Sequence, residues 1–187
     1  GGANWAATLT QPSAGTWANG QGWYSLSIAI NPVDANQVIV GGLDNFRSLD
    51  GGITWLKIST WVGTTGQYIH ADQHEAVWYD GGTKLLFAND GGIFYSTDSG
   101  TTTRDRNQGL RIKQFYSVAM PPTAGSNYFL AGAQDNGTHA LNSPGMGASV
   151  EVTGGDGAFV SIDQNEPQYQ FGAYVFNQYR RSTNSGA

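Results

Sequence analysis

The chain has 187 residues, 39% of them apolar, which is the length of one domain with enough apolar side chains to bury a core. Only 12% are charged, the net charge is -5, and the six Arg and three Lys are scattered along the chain in runs of no more than two, so no basic stripe exists to neutralise a phosphate backbone and nucleic acid is not an expected partner. The absence of cysteine excludes disulfides, thiolate metal sites, cysteine nucleophiles and attached c-type haem, and no apolar run reaches the roughly 18 residues that would span a bilayer.

Taken in chain order, the residues read as short strands separated by turns. "SLSIAI", "QVIVGG", "FRSL" and "ITWLKI" are four β-branched and aromatic runs in the first 58 residues, broken by "NPVDAN", "LDN" and "DGG". "HEAVWY", "KLLFA" and "IFYST" follow, then "FYSVAM", "NYFLAGA" and "THAL", and finally "AFVSI", "YQFGAY" and "QYRRS". No stretch of helical periodicity competes with them. The string "SLDGGITW" at 48–55 returns as "STDSGTTT" at 96–103, as a worn "SPGMGASV" at 143–150 and as "STNSGA" at 182–187, while the opening "GGANW" reads as the tail of another copy. The shared glycines at 2, 52, 100, 147 and 186 are separated by 50, 48, 47 and 39 residues, giving repeats 3–52, 53–100, 101–147 and 148–187. Four short antiparallel strands recurring at this spacing predict an all-β propeller of about four four-stranded blades. Because four-bladed rings are at the small limit of the architecture, the chain is expected to be part of a larger propeller.

The repeated string is built to turn a chain. Asp50 can accept nearby backbone N–H groups, Gly51 and Gly52 supply positive φ, Ser48 adds a hydroxyl and Trp55 packs beneath. Ser96, Asp98 and Gly100 take the same places in the second copy, and Gly145 and Asn184 replace the acid in the others, as a role in folding rather than chemistry requires. The string resembles the Asp box, or BNR repeat, of sialidases, sortilin-type receptors, xyloglucanases and photosystem assembly factors, in which it closes outer hairpins away from any active site. The longer strings "HADQHEAVWYDGGTKLLFANDGGIFYSTDSG", "FLAGAQDNGTHAL" and "GGDGAFVSID" are similar to Asp-box propellers of secreted Bacteroidetes surface proteins, many exported by the type IX route. That resemblance implies export and display on the cell surface; it implies no particular reaction.

Several residues remain as candidates for chemistry or binding. In a strand, His70, Asp72 and His74 would share a face at about 6.6 Å intervals, close enough for two neighbours to hold an ion but not for all three, so no metal or other cofactor is assigned. Asp44, Asp90 and Asp135 occupy equivalent turns, which explains them without a reaction. Asp156, flanked by glycines at the entry to a strand, could stand with Asp72 as a glycosidase acid and base. The arginines a sialidase would need are absent as a cluster, since Arg47, Arg104, Arg106 and Arg180 sit beside the repeated strings. All six tryptophans precede residue 79, and Trp17, Trp23 and Trp61 lie with Tyr68 in long Gly- and Thr-rich connections, where exposed rings would stack on sugars or seat a protein. Asn136 opens a glycosylation sequon. These features predict a non-catalytic, rigid module that recognises a glycan or a protein, with no membrane insertion. If the chain is an enzyme, the expected class is a glycoside hydrolase resembling the xyloglucanases; a third expectation is an assembly scaffold within a multi-subunit complex.

Overall fold

The computed structural model describes residues 2, 4, 17–62, 66–110, 112–143 and 149–186. Trp5 of the opening string, and Gly145 and Gly147 of the worn third copy, lie outside the described residues. Fifteen strands and no helix are found among the described residues, arranged as successive antiparallel sheets in which each strand pairs with its neighbour in sequence. The chain divides into two compact units, Gly1–Leu110 and Arg111–Ala187.

In the first unit, β1 (Ser27–Asn31), β2 (Asp34–Gly41), β3 (Asn45–Ser48) and β4 (Leu56–Lys57) form one sheet. The second sheet contains β5 (Gln73–Tyr79), β6 (Lys84–Asn89), β7 (Gly92–Ser96) and β8 (Arg104–Asp105). Their registers coincide: Val38 faces Ser48 in the first, and Leu85 faces Ser96 in the second. Alternation then places Ala29 and Ile39 on the face of the first sheet that packs against Ala76, Trp78, Leu85, Phe87 and Phe94 of the second, with Ile58 and Ile69 of the connection closing the layer. Ile39, Ile69, Leu85 and Phe87 are wholly buried, and burying a side chain of this size stabilises by about 1.5–3 kcal/mol. At the top of this layer β2 approaches the entry to β5 so closely that a Cβ on Gly41 would lie 2.6 Å from that of Gln73, a separation only glycine permits.

The strand expected over 53–58 is shorter than its composition suggests. Ile53 and Thr54 donate their backbone N–H groups to Asp50 instead of to a neighbouring strand, so pairing begins at Leu56. The second sheet has a fourth strand, β8, that its polar sequence did not disclose.

The second unit repeats the plan with β9 (Phe115–Ala119), β10 (Phe129–Ala133), β11 (Thr138–Leu141) and β12 (Val150–Thr153), followed by the three strands β13 (Val160–Ile162), β14 (Gln170–Ala173) and β15 (Tyr179–Ser182). Leu130 and Ala140 pack on Ile162, flanked by Ala119, Tyr128, Val152 and Val160. Ser117 ties the two sheets, its hydroxyl accepting from the backbone of Val160 at 2.8 Å and donating to the carbonyl of Ala158 at 3.3 Å. Within each unit the first strand of the later sheet, β5 or β13, is set against the sheet before it; successive up-and-down sheets packed in this way are propeller blades, and the fold is an all-β propeller type. Gly52 and Gly100 each follow the third strand of a four-stranded sheet, so these two repeat boundaries fall between third and fourth strands.

Candidate functional site

Antiparallel pairing separates two ends of the first unit. Ser27 pairs with Gly41 and Gln73 with Asn89, so the entries to β1 and β5 share one end with the turns at 42–44 and 90–91; the β3–β4 and β7–β8 hairpins close the other.

The hairpin end is architecture. The Ser48 hydroxyl donates to Asp50 Oδ1 at 2.7 Å and accepts from the backbone of Gly52 at 2.8 Å. Asp50 also accepts from the backbone of Thr54 at 2.8 Å and from its hydroxyl at 2.6 Å, while Gly51 and Gly52 lie at φ 72° and 93° with the Trp55 ring against Gly52. Ser96, Asp98, Gly100 and Thr102 repeat the arrangement, and Ser182, Asn184 and Gly186 keep its hydroxyl-centred half with an amide in place of the acid. Hydrogen bonds from Thr54, chiefly its side chain, hold the Asp50 carboxyl down at about 2.

Chemistry gathers at the opposite end. Asp72 sits at φ 61°, a left-handed conformation that ends the strand before Gln73, and β5 bulges at His74. His70, Asp72 and His74 therefore do not share a strand face. Two local devices redirect them. Gln73, wholly buried, donates its backbone N–H to the Gly42 carbonyl at 2.8 Å and its side-chain amide to the His70 carbonyl, pinning the segment. The bulge then aims the His74 ring at Asp90, with Nε2 2.6 Å from Oδ1. The Tyr24 hydroxyl donates to the same carboxylate at 2.9 Å, and the His74 ring meets the Tyr24 ring edge-on at 4.9 Å between centroids. Trp23, 85% exposed, packs obliquely on Tyr24 at 5.7 Å. The result is an open indole beside a tyrosine, an imidazole and a carboxylate whose polar atoms are already oriented.

Beneath this surface lies Asp72. It is 8% exposed, and its Oδ1 is buried with no hydrogen-bond partner. Burial, and secondarily the charge of Asp90, raises its carboxyl above the ordinary range, offset in part by Ser25, His74 and His70.

The other aromatic candidates have separate settings. Trp17 packs over Gly42, Trp61 stands beside Asp44 and donates its backbone N–H to it at 3.0 Å, and Tyr68 meets Phe94 edge-on at 6.1 Å. Asp44 is buried and paired with Lys57 at 2.6 Å, a structural role. In the second unit the Asp156 carboxylate accepts the backbone N–H of Asp135 at 3.0 Å, and Asp135 itself turns the chain at φ 58°. Asp72 and Asp156, the suggested acid and base, belong to different units.

Sequence reasoning missed two features. It read Asp90 only as a turn and passed over Tyr24, although the β5–β6 hairpin register was a usable signal for the meeting of His74 with Asp90. It also passed over His139, buried in the second unit with Lys113 Nζ 2.6 Å from Nε2 and the Ser149 hydroxyl 3.1 Å from Nδ1. Burial lowers the Lys113 ammonium below its usual range. The Asn136 carbonyl also lies against Nε2, so that the imidazole is held in place by both side chains and backbone. A cavity of about 380 Å³ in this unit, lined by Leu130, Thr138, Val152, Phe171 and Arg180 among others, contains none of the residues predicted for a site.

No family model matches the chain. No curated protein matches it either. Among solved structures it is similar to the GH74 xyloglucanase from Xanthomonas campestris, at 16% identity and a TM-score of 0.35, covering 85% of this chain and 28% of that one. It is also similar to the GH74 enzyme of Niastella koreensis, at 18% identity and a TM-score of 0.33, over 86% of this chain and 28% of that one. A third likeness is to YCF48 from Cyanidioschyzon merolae, at 12% identity and a TM-score of 0.36, over 84% of this chain and 55% of that one. The chain thus spans between about a quarter and about half the length of these proteins, and the likeness assigns no activity.

Proposed function

We propose that the chain is the rigid, non-catalytic recognition module of an exported bacterial surface protein, an Asp-box propeller of the kind carried by Bacteroidetes, and that it binds carbohydrate through Trp23. The single observation behind this reading is the indole at 85% exposure, set beside Tyr24, which in turn meets His74 and Asp90, whose polar groups are already fixed in place. An apolar ring face needs a flat partner to leave water, and the C–H face of a sugar supplies one while its hydroxyls meet the imidazole and carboxylate. Preset side chains reduce the ordering cost of binding.

A polysaccharide panel tests this by direct titration. Binding by the unmodified chain, lost in Trp23→Ala and retained in Trp17→Ala, is the expected result; no binding to any member, or binding indifferent to Trp23, refutes it. A glycoside hydrolase reading keeps one favouring observation, the raised carboxyl of Asp72. Turnover of a bound polysaccharide that disappears in a folded Asp72→Asn variant would install that reading instead. A solved structure of YCF48 is described as bound to D1 peptide; peptide binding on the Trp23 surface in place of sugars would move this chain to protein recognition and scaffolding.

A further inference from the structure

Two acids of the first unit face one another beneath the aromatic surface. Oxygens of Asp72 and Asp90 lie within 4.8 Å of each other. Asp90 is oriented by Tyr24 and His74, whereas Asp72 presents a buried oxygen that no donor satisfies. Its placement is imposed by the backbone, because the left-handed φ of Asp72 is held on one side by buried Gln73 and on the other by the segment that carries His70. A buried carboxylate oxygen without a partner is costly, and a second carboxylate beside it adds repulsion. Four cations of the unit are engaged elsewhere: Lys57 with Asp44, Lys84 with Asp80, Arg47 with the Ser99 carbonyl and Thr101, and Arg106 with the Tyr95 ring.

We propose that Asp72 and Asp90 hold a divalent, oxygen-preferring cation, with Ca²⁺ as the fitting ion. Two Ca–O bonds of about 2.3–2.6 Å bridge oxygens up to about 5 Å apart and so cover every separation within 4.8 Å, whereas two Mg–O bonds of about 2.1 Å cover only those up to about 4.2 Å. Calcium also accepts one or two carboxylates with water completing an irregular shell, and Tyr24 and His74 are exposed enough for water to enter beside them. Tyr24 and His74 become the outer partners that aim the Asp90 ligand. This site adjoins the sugar surface and shares Asp90 and His74 with it, but the indole of Trp23 is no part of it.

The test uses the full chain stripped with chelator and titrated with CaCl₂ by calorimetry, together with Tb³⁺ luminescence sensitised through Tyr24 and Trp23. The expected result is saturable binding with a Kd of about 10⁻⁴ to 10⁻³ M, a higher midpoint of thermal unfolding, and Tb³⁺ emission displaced by Ca²⁺. Asp72→Asn and Asp90→Asn each abolish the response, and asparagine tolerates the left-handed backbone at position 72. If either variant fails to fold, the Tb³⁺ and Ca²⁺ competition on the unmodified chain still decides. Absence of saturable binding, or undiminished binding in folded Asp72→Asn, overturns the proposal. Calcium affinity unchanged in Trp23→Ala while sugar binding is lost is the expected result, and it separates a failure of the sugar reading from a failure of this one.

Discussion

Ser48 shows how one hydroxyl organises a hairpin: it is buried, accepts the backbone of Gly52 and orients the carboxylate of Asp50. Ser48→Ala leaves the buried Gly52 N–H without a partner and should cost about 1–3 kcal/mol in denaturant unfolding. Asp50 contributes through charge. Its folded pKa, about 2, lies below the ordinary carboxylate value, so its stabilisation is present above that value and is lost as pH falls toward 2. Asp50→Asn should therefore flatten the acid limb of the stability profile between about pH 4 and 2. Asp72 has the opposite sign. Its raised pKa means that ionisation opposes folding as pH rises through the carboxylate range and beyond. In calcium-free buffer, Asp72→Asn should be at least as stable as the unmodified chain near neutrality, with the difference shrinking on acidification; a less stable variant at pH 7 would contradict this.

At the scale of the element, sheets are joined by alternation and by close approach. Ile39 projects from β2 into the layer formed with Leu85 and Phe87, so Ile39→Ala opens a cavity in a wholly buried layer and should cost about 2–5 kcal/mol by chemical denaturation. Gly41 fails for the opposite reason. A methyl there meets Ser27, Gln73 and Asn45 at once, and Gly41→Ala should cost about 1–3 kcal/mol through overpacking while displacing the segment that positions Asp72. Comparable stability in the two proteins would show that the β2 and β5 entries are not in contact. Strand identities were largely readable at this scale, because β-branched runs between turn residues carry their own preference. The truncation of β4 was not, since "ITWLKI" has strand composition throughout and only the competing acceptor at Asp50 diverts its first two N–H groups.

For the whole molecule, recognition and folding should separate at Trp23. Its ring is open, so Trp23→Ala should leave stability within about 0.5 kcal/mol of the unmodified chain while abolishing ligand binding. A marked loss of stability would instead assign the indole to packing.

Turn chemistry recurring about every fifty residues was sufficient to specify an all-β chain of successive blades and the hydrogen bonding of its hairpins. Those interactions join residues no more than four positions apart, within reach of any chain that adopts the turn. Tyr24 and Asp90 are 66 residues apart, and they meet only after β5 and β6 pair and two sheets stack. The bulge at His74 and the left-handed turn at Asp72 then reverse the directions that simple alternation would assign. Which acids face one another was therefore decided by packing, because side-chain direction follows from backbone angles that the surrounding sheets impose.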